Sequence, residues 1–301
     1  MFIRSALATG LGAVVVASAT DSLVPGWHET SLYSSYAGKM TFDLTQGNLE
    51  IMDSALHLPI SPPITAIPAV EIYPAFDFKS TVLSFNDVPA SLPVNSNNLQ
   101  SFHVFPTTLA LSAMIHSSGD DPGWIWGGFL REKMATDFKD VQQDDFSSDV
   151  AGGIGYRFSQ DLTIGVGGEV LDVGGAFERF HPGLGLDWTI TDEFSIQGCG
   201  ALWETCFSPT TNWRIGIRSD FSGDIWNVVD GSGKSRFIDL VSHRIGVYTD
   251  HRISDSVWLE LEGGTSFGNS ISLKRDDGSA LLKQTQDRGF YFQVGLSIDR
   301  W

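Results

Sequence analysis

The chain has 301 residues, of which 42% are hydrophobic and only 18% are charged, so it is long and apolar enough to fold. Acidic residues outnumber basic ones and give a formal net charge of −17, which argues against nucleic-acid binding because a polyanion would be repelled. The 32 glycines and 20 phenylalanines form a combination that is unusual for a cytosolic enzyme.

The first 19 residues have the pattern of a secretory signal peptide. Arg4 precedes an apolar run over residues 6–17, and small residues (ASA) at 17–19 suit a cleavage site. The run is shorter than the roughly 20 residues that a membrane-spanning helix needs, and no later segment is long enough. We predict a cleaved signal over residues 1–19 and one domain over residues 20–301. The alternative is a buried first helix or strand.

The N-terminal third predicts three strands that are interrupted by prolines, over residues 41–57, 67–85 and 102–116. Proline is tolerated at strand starts, edges and bulges. A turn is expected at residues 59–63 and a loop at residues 88–99, where proline recurs.

From residue 154 onward, apolar residues alternate with polar or small ones, which is the period of a strand with one apolar face. The alternation covers residues 154–158, 162–166, 184–190, 213–217, 241–247, 257–261 and 290–298. Short polar turns follow at 159–161, 191–193 and 254–256, and longer, acidic connections at 138–149, 174–181, 224–236 and 268–287. This arrangement is typical of an all-β, up-and-down antiparallel transmembrane barrel. We predict about twelve strands, with ten or fourteen allowed.

The polar face of these strands carries charges of both signs, namely Arg157, Glu169, Asp187, Arg214, Arg218, Asp220, Arg244, Asp250, Glu260 and Glu262. A soluble barrel or sandwich would expose this face to water, whereas a membrane barrel would turn it toward the lumen. Aromatic residues beside the short turns favour the membrane barrel, because they resemble an interfacial girdle: Tyr156, Phe158, Trp188, Phe194, Trp213 and Trp258.

Several segments resemble an uncharacterised family of bacterial outer-membrane β-barrel proteins, a domain of unknown function. They read GWIWG at 123–127, ATDFKD at 135–140, GGIGYRFS at 152–159, LGLDW at 184–188, WNV at 226–228 and LEGG at 261–264. The resemblance extends from Trp27 to the end of the chain. It implies an outer-membrane barrel and brings no reaction, cofactor or catalytic residue. Outer-membrane barrels commonly end on an aromatic residue that has the parity of the lipid-facing residues. Trp301 departs from this pattern, because it does not share the parity of Ile298.

Candidate catalytic groups are few. Residues 264–268 read GTSFG, which matches the G-x-S-x-G string of serine hydrolases around Ser266. That motif needs a strand, a sharp turn and a helix, and no helical pattern follows here. A barrel enzyme acting on lipid would need a histidine beside such a serine, for which His243 and His251 are the candidates. We therefore predict no enzyme, no catalytic residue, no cofactor and no metal site, and keep the lipid enzyme as an alternative.

Two further sets of residues leave alternatives open. Cys199 and Cys206 either close a small disulfide loop or remain thiols, because a single continuous strand would hold them roughly 23 Å apart. The acidic pairs at 120–121, 144–145 and 276–277 could bind calcium or bridge surface sugars through divalent cations. The favoured interpretation is that they are solvated acids in loops.

We expect a passive small channel or a structural surface protein in the outer membrane, with membrane lipid and the barrel assembly machinery as partners. A soluble secreted β-sandwich or barrel that binds a ligand is the further alternative. Opposite charges on the lumen face could lock the barrel or could line a narrow polar pore, and we favour the lock because side chains can largely fill a lumen of about twelve strands. Arg244 with Glu262 is the expected pair, because a tight hairpin would bring them within diagonal reach.

Overall fold

A computed structural model describes residues 29–42, 47–67, 70–88, 100–117, 121–173, 179–200, 202–230, 233–275 and 278–299. The predicted signal peptide, Trp27 and Trp301 lie outside these ranges. The described residues form a single sheet of 17 strands and a 3₁₀ turn at Gln143–Asp145. No helix among them is long and apolar enough to cross a membrane.

The barrel wall consists of 14 antiparallel strands within the described residues. In order around the wall they are β1 (Glu29–Thr41), β2 (Asn48–Pro59), β4 (Val70–Asn86), β6 (Thr107–Ser117), β7 (Gly123–Thr136), β8 (Phe146–Ser159), β9 (Leu162–Val173), β10 (Arg179–Thr191), β11 (Phe194–Cys199), β12 (Leu202–Thr210), β13 (Trp213–Val229), β14 (Ser235–Ser254), β15 (Val257–Lys274) and β17 (Gly289–Asp299). Three short strands are attached to it: β3 (Ile64–Ile67), β5 (Phe102–Val104) and β16 (Ala280–Thr285).

The wall is closed because the first strand pairs with the last one. β1 and β17 are antiparallel neighbours from Glu29 opposite Asp299 to Ala37 opposite Tyr291. The architecture predicted from the sequence is confirmed, but the wall has 14 strands instead of about twelve. The ranges predicted from the sequence do not include β1, β7, β11 or β12. On β1 both faces carry serine, because Ser34 lies on the outward face and Ser31 and Ser35 lie on the inward face. The two faces therefore differ little in polarity.

Both faces of the wall have the polarity of a membrane barrel. Large apolar side chains point outward, among them Phe290, 83% exposed, and Leu184, 66% exposed. Charged side chains point inward and are buried, as in Arg157 and Arg244, which are 1% and 2% exposed. A soluble barrel or sandwich has the opposite arrangement.

The tight hairpins predicted from the sequence all lie at one end of the barrel, which we call the turn end. Leu162 follows Ser159, Phe194 follows Thr191 and Val257 follows Ser254, each across a two-residue turn. Both described chain ends, Glu29 and Asp299, lie here as well. Trp188 and Trp213 are exposed beside the turns, as a girdle requires. Trp258 is an exception, because it points into the lumen and is only 5% exposed.

The opposite end, the loop end, differs from the prediction. Most of residues 224–236 and 268–287 belong to strands and not to long loops, because β13, β14 and β15 extend well beyond the neighbouring strands β11 and β12. A bulge at Gly268, which has φ +61°, shifts the register of β15. Beyond it, Ile271 and Leu273 point into the lumen, whereas Leu259 and Leu261 before it are on the outward face.

Candidate functional site: a lumen closed by an inward-folded hairpin

The hairpin β13–β14 leaves the wall at the loop end and crosses the lumen. β12 pairs with β13 only as far as Trp203 opposite Ser219. Beyond this point β13 continues for ten residues to Val229 with β14 as its partner. Its end forms a parallel bridge with β7, between Asn227 and Thr136. Because β7 and β13 stand nearly opposite one another in the order of the wall, the hairpin spans the barrel.

A group of four side chains, which we call the latch, fixes the hairpin to the opposite wall: Thr108, Lys133, Asp224 and Trp226. The indole Nε1 of Trp226 donates to Thr108 Oγ1 at 3.1 Å, and Thr108 Oγ1 donates to Asp224 Oδ2 at 2.8 Å. Lys133 Nζ lies 3.2 Å from Asp224 Oδ1. Trp226 is fully buried, so water does not compete for these bonds, and each is stronger than at a surface.

Backbone contacts reinforce the latch at the tip of the hairpin. The amide of Asp137 donates to the carbonyl oxygen of Asn227 at 3.2 Å, and the amide of Val229 donates to Asp137 Oδ2 at 3.3 Å. Asp137 follows β7 directly, so hydrogen bonds in both directions hold the tip of the hairpin to the end of that strand.

An apolar cluster fills the loop end around the latch. The extended hairpins contribute Trp226, Val228, Ile238, Leu240, Ile271 and Leu273. These side chains belong to one cluster with residues of β1, β2, β4 and β5, namely Met40, Leu49, Ile51, Leu83, Phe85 and Val104. All of these side chains are buried. The loop end of the lumen is therefore closed by a buried apolar core. An apolar constriction blocks ions because it excludes the water that would hydrate them.

A second group of charged residues, the wall cluster, lies flat along the inner surface of β12–β17: Glu204, Arg218, Tyr248, Glu262 and Tyr291. Arg218 binds Glu204 at 3.0 Å and Glu262 at 3.1 Å. The hydroxyls of Tyr248 and Tyr291 donate to Glu204 at 2.8 Å and to Glu262 at 2.5 Å. Every carboxylate therefore has both an arginine and a tyrosine as a partner.

The expected pair of Arg244 and Glu262 is not formed. Arg244 lies opposite Ser266, and Glu262 lies opposite Tyr248, so the hairpin register places the two charges too far apart along the strands. Arg244 reaches Asp53 on β2 at 3.6 Å instead. The general expectation of charges that lock the lumen holds at Arg244 and at the latch, but most of the ion pairs join neighbouring strands.

The G-x-S-x-G string does not form a catalytic serine. Ser266 lies within strand β15 and is fully buried toward the lumen, where Asn269 Nδ2 donates to its hydroxyl at 3.1 Å. His243 is on the other face of the sheet, between the rings of Phe221 and Phe267. His251 is exposed near the turn end. The structure brings neither histidine to Ser266.

The remaining candidate residues are separate from the latch, except Asp145, whose carboxylate is hydrogen-bonded to Thr136 and Asn227 at the tip of the hairpin. Cys199 and Cys206 lie on adjacent strands and do not form a disulfide. Asp144 and Asp145 form the 3₁₀ turn before β8, where burial raises the pKa of Asp145 above its ordinary value. Asp120, Asp276 and Asp277 are outside the described ranges. The described part of the chain contains no group of three His, Cys, Asp or Glu residues that could hold a metal ion.

Sequence reasoning missed the latch, although a signal is present. On β13, Arg214 and Arg218 share one parity and point into the lumen, and Trp226 and Val228 continue that same parity. A polar face that becomes apolar toward one end of a strand indicates that this end enters a core. The sequence analysis instead interprets residues 224–236 as a long, acidic connection.

No family model and no curated protein match the chain. Among solved structures, it is similar to the Pseudomonas putida toluene transporter TodX, with 9% identity, 97% of this chain and 99% of that chain covered and a TM-score of 0.44. A Pseudomonas aeruginosa FadL homologue has 9% identity, coverage of 90% and 89% and a TM-score of 0.44. The translocator domain of the autotransporter NalP from Neisseria meningitidis has 8% identity, coverage of 91% and 88% and a TM-score of 0.39.

These neighbours are outer-membrane β-barrel proteins, but values this low transfer no function. The class of the protein follows from its own features, which are a closed antiparallel wall, an apolar exterior and a charged interior. The chain is an outer-membrane-type β-barrel of 14 strands within the described residues, as the family resemblance implied.

Proposed function

We propose that this protein is a passive outer-membrane channel that the β13–β14 hairpin holds closed at the loop end. The observation that supports this proposal is the latch. The tip of the hairpin is held to β6 and β7 by a few side chains and one backbone bridge, whereas the strands of the wall are held to one another by continuous backbone pairing. Displacing the hairpin would therefore open the lumen without breaking the barrel.

The proposed orientation places the turn end in the periplasm and the loop end outside the cell, because short turns are periplasmic in outer-membrane barrels. We also propose that the chain reaches the membrane through a cleaved signal over residues 1–19 and the barrel assembly machinery. Membrane location is tested by gel mobility of an outer-membrane fraction. The unboiled protein should migrate differently from the boiled one and should need detergent for release, whereas release by salt or osmotic shock would contradict the location.

Conductance in planar bilayers tests the channel itself. The full-length protein should be nearly silent, because the apolar cluster closes the lumen. Trp226→Ala removes the central side chain of that cluster and the bond to Thr108, so this variant should show frequent openings. The matched control is Trp124→Ala, since Trp124 is 74% exposed on the outer surface and should leave the channel silent.

The buried side chains of the lumen also support a second function, that of a structural surface protein whose interior never opens. This alternative predicts that Trp226→Ala lowers stability and that the bilayer remains silent. The two functions therefore give opposite results in the same recording, provided that heat-modifiable mobility shows the variant to be folded.

A further inference from the structure

Acidic residues dominate the inward face near the turn end. Five acids lie on that face, and the arginines that point into the same region are fewer: Glu29, Glu71, Asp187, Asp250 and Glu260 against Arg157 and Arg214. A third arginine, Arg252, donates to the carbonyl oxygen of Asp255 in its own turn, and its guanidinium lies 5.8 Å from the ring centroid of the inward-facing Trp258. Even with Arg252, the acids outnumber the arginines by five to three. When all of these groups are ionised, the turn end of the lumen carries a net negative charge.

Two of these acids face one another directly. Asp250 on β14 is the cross-strand partner of Glu260 on β15, and the two side chains are 2% and 3% exposed. Directly opposed residues have Cβ atoms about 4.5–5.5 Å apart. Like charges at this separation repel one another unless a cation or a proton is shared between them.

The nearest arginine does not fully neutralise the pair. Arg214 is the cross-strand neighbour of Asp250 on its other side, but its guanidinium lies over the ring of Trp258, 3.9 Å from the ring centroid. Asp250 Oδ1 is buried and accepts no hydrogen bond from the described residues. An acceptor oxygen of this kind on the inward face of the wall is a ligand that a cation in the lumen would bind.

We propose that the lumen selects for small cations and that Asp250 and Glu260 determine this selectivity. The inference rests on the proposed channel function. Rings of acidic side chains are a common basis of cation selectivity, and a charged passage between low-dielectric walls concentrates ions of the opposite sign. When the hairpin is displaced and water enters, the carboxylate pair attracts a monovalent cation such as K⁺ and repels Cl⁻.

The test is a reversal potential measured with Trp226→Ala under a KCl gradient. We expect a permeability ratio of K⁺ to Cl⁻ of about ten or more. Adding Asp250→Asn and Glu260→Gln should lower the ratio at least threefold. The matched control is Glu132→Gln, because Glu132 lies on the outward face of β7 and is exposed, so it should leave the ratio unchanged.

Three results would overturn the selectivity. The ratio could be near one, it could favour Cl⁻, or it could stay the same after both carboxylates are neutralised. If the double variant does not fold, Glu71→Gln replaces it, since the side chain of Glu71 is 28% exposed and the substitution should still lower the ratio measurably. An absence of current from folded Trp226→Ala overturns the channel as well, whereas current without a cation preference overturns only the selectivity.

Discussion

The latch and the wall cluster are built from the same kinds of side chains but differ in what holds their partners together. In the wall cluster, Arg218 and its two glutamates come from strands on one side of the barrel, so backbone hydrogen bonds keep them close. In the latch, Asp224 and Trp226 meet Lys133 and Thr108 only because the hairpin crosses the lumen. We therefore propose that the wall cluster stabilises the barrel and that the latch selects the closed state of the proposed channel.

This comparison also separates the consequences of damage. Removing one partner of a buried ion pair typically costs about 3–5 kcal/mol, because a charge is left uncompensated. In the wall cluster that cost must be carried by the whole barrel. In the proposed open channel the hairpin leaves the lumen, and Lys133 retains Asp149, which lies 3.2 Å away.

Fixing the hairpin to the wall should have the largest effect. Asn227 and Thr136 are bridge partners, and paired Cα atoms in a sheet are within the 4.4–6.8 Å that a disulfide requires. Asn227→Cys with Thr136→Cys, made in Trp226→Ala with both natural cysteines replaced by serine, should abolish the current when oxidised. Reduction should restore it.

The control for this experiment is the same protein with only one of the two new cysteines. Its current should not respond to oxidant or reductant. A current that persists in the fully oxidised double-cysteine variant would mean that ions pass without movement of the hairpin, and the latch would then have no role in gating.

Arg218→Ala should lower barrel stability and leave the channel silent. The substitution leaves Glu204 and Glu262 buried without their cation, for which we expect a loss of about 3–5 kcal/mol in the free energy of unfolding. The folded fraction during urea titration, measured by heat-modifiable mobility, gives this value. Arg275→Ala is the control, because Arg275 lies in an exposed turn and should cost less than about 1 kcal/mol. Frequent channel openings in Arg218→Ala would contradict the division of roles.

A double-mutant cycle between Tyr291 and Glu262 should give a smaller coupling. The Tyr291 hydroxyl donates to Glu262 at 2.5 Å, and a hydrogen bond to a charged group contributes about 1.5–3 kcal/mol. Tyr291→Phe and Glu262→Gln should therefore be non-additive by an amount in this range. As a comparison, Tyr291→Phe and Glu132→Gln should be additive to within about 0.5 kcal/mol, because Glu132 is on the outer surface across the barrel. Equal couplings in the two cycles would exclude a specific bond.

The sequence was most informative where a strand has one continuous apolar face. On β17, Phe290, Phe292 and Val294 predict the outward surface correctly, and the polar parity of β14 and β15 correctly identifies Arg244, Asp250, Glu260 and Glu262 as inward. Period-two alternation is a local property, so it can be read without knowledge of the partner strands. The partner of Arg244, in contrast, depends on the register of the β14–β15 hairpin about ten residues from its turn. A small error in that register assigns the wrong partner.

The latch could not be found in this way because its contacts are remote in the chain. Thr108 and Trp226 are 118 residues apart, and nothing near either residue indicates the other. The reversal of polarity along β13 and β14 shows that their ends enter a core, but it does not identify the strands that complete that core. Only the closed wall determines that β7 stands opposite β13.

The smallest effect is expected at the bulge that turns β15 inward. Gly268 has φ +61°, and a Cβ there would lie 3.2 Å from Cδ2 of the His243 ring. A residue other than glycine costs about 1–2 kcal/mol in this conformation, so Gly268→Ala should lower the free energy of unfolding by that amount. Gly233→Ala is the matched control for the backbone alone, because Gly233 also has a positive φ, +76°, with open space around its Cβ position. Since Ile271 and Leu273 reach the apolar cluster only beyond this bulge, Gly268→Ala should also raise the opening frequency slightly, whereas Gly233→Ala should not. Equal opening frequencies in the two variants would mean that the bulge does not support the closed state.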